Sequence, residues 1–322
     1  MKPLALRSCV TVLFVGAAIV SGGGPAATAQ ETPPGKIAFA RHVDGDYELF
    51  VMRADGSRVR RLTYNGVDDF DPSWSPDGRR IVFERERGEN GYEDLYIVNV
   101  RGGRARPWVV SHGIDEGDPA WSPDGRWIAF RGNDGGDGAD VVAVTVDREE
   151  GTIVSSQSEN STNSDPAWSP DGTQLALVES YDGAGLYVAS FCCSDGYKKE
   201  ELTYSGSWKY GVDWSPDGSC IVYSDDDPGT TGVYTIPAGG GEPRLVTSAG
   251  PGGAAGTWSP DGSEILFYSD ATGTFDLYAA SPDGSEVRRL TNTPDVDEIT
   301  PAAWPQTVEE PVAPECGAPP IR

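Results

Sequence analysis

Trp74-Ser75-Pro76-Asp77-Gly78 decides the reading of this chain, because it comes back. The same five residues stand at 121–125, 168–172, 214–218 and 258–262, with the tryptophans 47, 47, 46 and 44 residues apart. Another 46 residues on, Trp304-Pro305 reads as a decayed sixth copy. Ser-Pro-Asp-Gly is turn chemistry: Pro fixes φ, Asp bonds its own backbone and Gly takes a positive φ. The aspartates of the phrase are therefore expected to be structural, and its tryptophans to pack blade against blade.

The flanks repeat as well. An apolar run follows each phrase, as in Ile81-Val82-Phe83 and Ile128-Ala129-Phe130. After a polar loop comes another, such as Leu95-Tyr96-Ile97, and then a third, such as Arg288-Arg289-Leu290-Thr291. Short β-branched and aromatic runs bounded by turn residues are strands, and no 3.6-residue periodicity marks a helix. Four strands in each 44–47 residues is the period of a propeller blade. The expected fold is all-β, a six-bladed propeller of four-stranded antiparallel blades. Its first strand, Ile37-Ala38-Phe39, matches the second strand of a repeat, so Thr300 to Trp304 is expected to complete that blade and close the ring. Closure removes open sheet edges.

The phrase and its strand pattern resemble the propeller repeats of the TolB family over about residues 36–305. That resemblance implies envelope-associated protein recognition. Members of that family carry an α/β domain before the propeller, whereas here few residues precede the first strand. Similar repeats build the propellers of prolyl-oligopeptidase-like and tricorn-like peptidases, but the Gly-x-Ser-x-Gly elbow of their hydrolase domain does not occur in this sequence. The chain thus reads as a propeller alone.

Around the repeats, Lys2 and Arg7, the apolar run Val10–Val20 and Ala27-Thr28-Ala29 form the three parts of a secretory signal, expected over residues 1–29. A short leader, 30–35, precedes the propeller, and a Pro-rich tail, 306–322, follows it. No other stretch approaches membrane-spanning length. The expected location is outside the cytoplasm, extracellular or in the periplasm and cell envelope, as a monomer. With 50 acids against 25 bases, the net charge is −25. Such a chain lacks the Lys and Arg that bind nucleic-acid phosphates.

In a propeller, the inter-blade connections share one face with the loops between second and third strands. These segments carry Asp69, Asp71, Asp115, Glu116, Asp118, Asp165, Asp297 and Glu298, with His112 beside them. They are the expected binding surface for a protein, a peptide or a cell-envelope glycan. Asp134, Asp137 and Asp140 form the best local metal candidate: no cofactor is required, but Ca²⁺ suits such oxygens. The alternative function is a Ca²⁺-assisted, lactonase-like or glycan-cleaving enzyme. Cys192, Cys193, Cys220 and Cys316 remain after signal removal, and secretion permits disulfides. The repeat map suggests one bond from the Cys192/Cys193 pair to Cys220 and the other to Cys316. Trp108 and Trp208 lie outside the repeat as candidate binding aromatics.

Overall fold

The computed structural model describes residues 35–87, 92–111, 114–133, 138–155, 161–181, 183–191, 197–227, 231–248 and 256–303. Strands β1 (Lys36–Val43), β2 (Asp46–Arg53) and β3 (Arg60–Arg61) belong to blade 1. Blade 2 is β4 (Asp69–Trp74), β5 (Arg80–Glu86), β6 (Glu93–Asn99) and β7 (Arg106–Val109). Blade 3 is β8 (Asp115–Trp121), β9 (Trp127–Asn133), β10 (Asp140–Thr145) and β11 (Gly151–Ser155). Blade 4 is β12 (Thr162–Trp168), β13 (Gln174–Ser180), β14 (Ala184–Phe191) and β15 (Tyr197–Ser205). Blade 5 is β16 (Lys209–Trp214), β17 (Cys220–Asp225), β18 (Gly232–Pro237) and β19 (Arg244–Thr247). Blade 6 is β20 (Thr257–Trp258), β21 (Ile265–Ser269), β22 (Asp276–Ala280) and β23 (Val287–Arg289). The last strand, β24 (Glu298–Ala303), pairs antiparallel with β1 and supplies the innermost strand of blade 1. The six-bladed, end-closed ring is therefore as the repeats require.

One detail corrects the repeat map. Ala303 faces Ile37 across the ladder as Trp74 faces Ile81 and Trp121 faces Ile128. The position of the repeated tryptophan in blade 1 is thus held by Ala303. Trp304, the next residue, lies outside the described residues, as do the expected signal and tail and, but for Gly35, the leader.

Each Ser-Pro-Asp-Gly forms the same knot. In the first, Ser75 Oγ donates to Asp77 Oδ1 at 2.6 Å, and the same oxygen accepts the Arg79 N–H at 3.0 Å. Gly78 takes φ 63° and donates to the Ser75 carbonyl at 2.8 Å. These donors hold the Asp77, Asp171 and Asp261 carboxyls below the usual range. Between blades, the indoles do directional work. Trp74 donates to the Ala302 carbonyl at 3.1 Å, Trp168 to Ala120 at 3.1 Å and Trp214 to Ala167 at 3.0 Å. Each acceptor is the residue before the corresponding position in the preceding blade. Where that residue is Ser73 or Asp213, its side chain instead takes the backbone N–H of Trp121 (3.0 Å) or Trp258 (2.9 Å). The indole N–H of those two tryptophans has no partner among the described residues.

Candidate functional site

The innermost strands share a further irregularity. In β4, β8, β12, β16 and β24 the ladder slips by a bulge between Phe70 and Ser73, Gly117 and Ala120, Ser164 and Ala167, Tyr210 and Asp213, and Ile299 and Ala302. The residues in the slip are Asp71-Pro72, Asp118-Pro119, Asp165-Pro166, Gly211-Val212 and Thr300-Pro301. Pro has no N–H to give the ladder, which favours a bulge. The residue before it takes a positive φ: 45° at Asp71, 53° at Asp118, 50° at Asp165 and 48° at Thr300. Asp tolerates this region better than most side chains, and bulges re-aim side chains next to functional sites. All of these residues line a central cavity of about 550 Å³, walled by the innermost strands of all six blades.

Three blades thus turn a carboxylate toward the channel. Around them stand groups that the sequence reading did not select. Glu84, on β5, is only 2% exposed and accepts the Asp118 N–H. Carboxylate oxygens of Asp71, Glu84 and Asp118 lie within 4.8 Å of one another. Arg131, on β9, donates to Asp118 Oδ2 (3.0 Å), Asp115 Oδ2 (2.8 Å) and Glu93 Oε2 (3.0 Å). Gly117 makes room for it: a Cβ there would lie 2.2 Å from Arg131 Nη2. The set continues round the ring, with Asp165 N–H donating to Asp118 Oδ2 at 3.4 Å and Gly211 N–H to Asp165 Oδ1 at 2.7 Å. The detectable signal was charge at an apolar place, since Glu84 and Arg131 stand where blades 1 and 4 have Ala40 and Val178.

Burial, followed by repulsion from Asp118 and Asp165, pushes the Asp71 carboxyl well above its ordinary value. Burial and then Asp71 do the same to Glu84. Burial, then Asp118, lifts Asp165 to about 7. Tyr268 and Tyr210, from blades 6 and 5, complete the surroundings. Their phenols are raised first by burial, and both feel the Asp165 charge.

The other acids of the expected binding face have different places. Asp69, Glu116 and Glu298 are buried. Asp69 takes a two-point grip from Arg85, at 2.6 and 2.8 Å, and Glu298 ion-pairs with Arg41. One oxygen of Glu116 has no partner among the described residues. These three carboxylates therefore face inward, contrary to a reading of them as open surface. Asp115 and Asp297 are clips: each accepts the N–H that opens a strand or its approach, Glu93 at 2.9 Å and Phe275 at 3.0 Å. Asp140 begins β10, while Asp134, Asp137 and His112 lie outside the described residues. So do Cys192, Cys193 and Cys316, whereas Cys220 is fully buried at the start of β17. The two extra-repeat tryptophans separate. Trp108 is buried, its indole donating to the Val146 carbonyl at 2.9 Å, and Trp208 is exposed.

Exposure of large aromatics follows one rule. Among the described residues they are Tyr64, Tyr92, Tyr181, Tyr204 and Trp208. All five belong to inter-blade connections, to loops between second and third strands, or to the strand end beside them. The bases on that face are already paired: Arg41 with Glu298, Arg61 with Glu48, Arg85 with Asp69, Arg87 with Asp94, Lys209 with Asp225 and Arg289 with Asp276, besides Arg131. On the opposite face, Arg53, Arg58, Arg79, Arg101 and Arg126 make no ion pair among the described residues.

The family pattern described as the TolB beta propeller domain matches residues 21–162 and 138–308. The Tol-Pal system protein TolB of Rhizorhabdus wittichii is 42% identical over 65 residues, 20% of this chain and 15% of that protein. Its counterpart in Zymomonas mobilis is 42% identical over 62 residues, 19% of this chain and 13% of that protein. The chain thus spans about a seventh of the length of these curated relatives. The crystal structure of TolB from Acinetobacter baumannii superposes with a TM-score of 0.72 at 18% identity, covering 84% of this chain and 67% of that one.

Proposed function

This chain belongs to the TolB beta propeller domain family, and from that premise we propose that it is a non-enzymatic binding propeller of the cell envelope, engaging a protein partner through its loop face. The observation that carries this reading is the confinement of the exposed aromatics to that face. Tyr and Trp are the side chains that most often anchor protein interfaces. The bases of that face are held in ion pairs, so carboxylates that make none among the described residues, such as Asp226 and Asp227, would steer a partner of opposite charge. Residues 1–29, read as a secretory signal, support a location outside the cytoplasm. Among the described residues, no helix is long and apolar enough to cross a membrane. A photo-crosslinking side chain at Tyr64 or Trp208, compared with one at Asp171 or Asp283 on the opposite face, tests the proposal in native cells. Adducts from the loop face alone are expected; equal adducts from both faces would overturn it.

A second reading uses the channel. Asp71, Glu84 and Asp118 offer clustered hard oxygens that suit Ca²⁺, and a metal-assisted hydrolase would place its cation there. Millimolar Ca²⁺ raises the melting temperature of the native chain under this reading, and leaves that of Asp71→Asn unmoved. We also propose that Cys220 bonds one member of the Cys192/Cys193 pair, for which non-reducing peptide mapping is the check.

A further inference from the structure

Three of the five exposed aromatics gather at one part of the loop face: Tyr181 (67% exposed), Tyr204 (50%) and Trp208 (65%). They come from blade 4 and from the connection into blade 5. A chain of contacts joins them. The Tyr181 N–H donates to the Gly183 carbonyl at 3.1 Å, and the Tyr204 hydroxyl lies so close to Gly183 that a Cβ there would be 2.9 Å from it. Ser205, the next residue, shares a hydroxyl hydrogen bond of 2.6 Å with Ser207 and accepts another from Lys209. Lys209 is buried and closes on Asp225 at 3.0 Å. One step outward, Asp226 Oδ1 accepts the Trp208 N–H at 2.7 Å, and the Asp226 N–H donates to the Trp208 carbonyl at 3.1 Å. The backbone of Trp208 is therefore held on an extension of the β16–β17 ladder while its ring stands in solvent.

The unpaired charge next to Trp208 is negative. Asp226 uses one oxygen on Trp208, Asp227 is exposed, and neither makes an ion pair among the described residues. The neighbouring base, Lys209, is buried and neutralised by Asp225. Aromatic faces attract cations, Arg guanidinium most often and Trp best of all. Carboxylates on neighbouring backbone strengthen that preference and disfavour an anionic ligand.

We infer that the blade 4–5 rim docks a cationic segment of the partner, an Arg or Lys side chain stacking on Trp208 while Asp226 and Asp227 take its charge. This rests on the loop face being the partner face and specifies the chemistry of what sits there.

Fluorescence anisotropy of a labelled Arg-rich peptide with the full chain tests it, against a Glu-rich peptide of equal length and a soluble cell-wall glycan fragment. The Arg peptide is expected to bind, and Trp208→Ala to weaken it about 5-fold, the cost of an exposed cation–π contact. Because that variant keeps the net charge, loss through it separates ring stacking from attraction by the overall field. Asp227→Asn is expected to weaken binding further and to flatten its salt dependence. An unchanged affinity in a Trp208→Ala chain of native melting temperature would overturn the inference. So would tighter binding of the Glu peptide or of the glycan. Loop-face crosslinks together with an indifferent Arg peptide would sink this inference and leave the binding reading standing.

Discussion

At the scale of single residues, the channel depends on one absence and one surplus. The absence is the side chain of Gly117, whose place Arg131 occupies. Gly117→Ala is expected to displace the guanidinium from Asp115, Asp118 and Glu93 and to lower stability by about 1–3 kcal/mol, the usual cost of overpacking. Urea denaturation measures it, and a crystal structure of a stable variant would show whether Arg131 had moved. The surplus is negative charge. Asp71 is held above its ordinary pKa by burial and by its neighbours, so its ionised form opposes folding at neutral pH. Asp71→Asn is expected to raise the melting temperature at pH 7.5 without added metal. A fall would show that the ionised carboxylate is satisfied in a way that amide cannot copy.

At the scale of elements, the repeated tryptophan proves to be two residues in one spelling. Trp214 is buried and hydrogen-bonds the preceding blade, whereas Trp258 is buried with its N–H unmatched among the described residues. Trp214→Phe is therefore expected to cost about 1–3 kcal/mol more than Trp258→Phe, the penalty of a carbonyl left without its donor. Equal losses in denaturant titrations would mean that the indoles serve by area alone. The distinction was legible in principle, because Ala precedes Trp121, Trp168 and the blade 1 position held by Ala303, and Ser or Asp precedes Trp74 and Trp214. The strands and turns of blades 2 to 6 were legible, since Ser-Pro-Asp-Gly repeats in them without a change, whereas the decayed copy in blade 1 misplaced its tryptophan position by one residue. The bulges were not: Asp-Pro reads locally as turn chemistry, and only the ladder on both sides shows that the chain stays in its strand while re-aiming the side chain. The surplus of acids on the loop connections was also visible. Their division into buried partners, clips and channel groups depends on which neighbouring blade supplies a base, and composition does not carry that.

At the scale of the whole molecule, two populations of carboxyls set the response to pH. Asp165 is raised to about 7 and Asp213 to about 6, both chiefly by burial, and Asp71 and Glu84 move the same way. A carboxyl with a raised folded pKa binds more protons folded than unfolded, so its stabilisation is complete below its unfolded value and lost as pH rises through the folded one. The turn carboxyls of Asp77, Asp171 and Asp261, held below their ordinary value, do the reverse. Asp283, lowered to about 2 by the Ser285 hydroxyl and N–H, contributes above its unfolded pKa and fades only as acid protonates it. Stability is therefore expected to peak between about pH 4 and 6 and to decline toward pH 8, as a series of thermal melts would show. A melting temperature that climbs from pH 5 to pH 8 would contradict the buried-acid account. The inter-blade bonds have a consequence for rearranged versions of the ring. Trp74, Trp168 and Trp214 each follow a blade with Ala just before the repeated-tryptophan position, whereas Trp121 and Trp258 follow one with a side-chain acceptor there. The blades therefore carry a one-way grammar. A shuffled or duplicated ring that keeps these couplets should assemble, and one that places blade 5 after blade 2 would set the Trp214 indole against Ser73, the neighbour whose present partner, Trp121, has an unmatched indole.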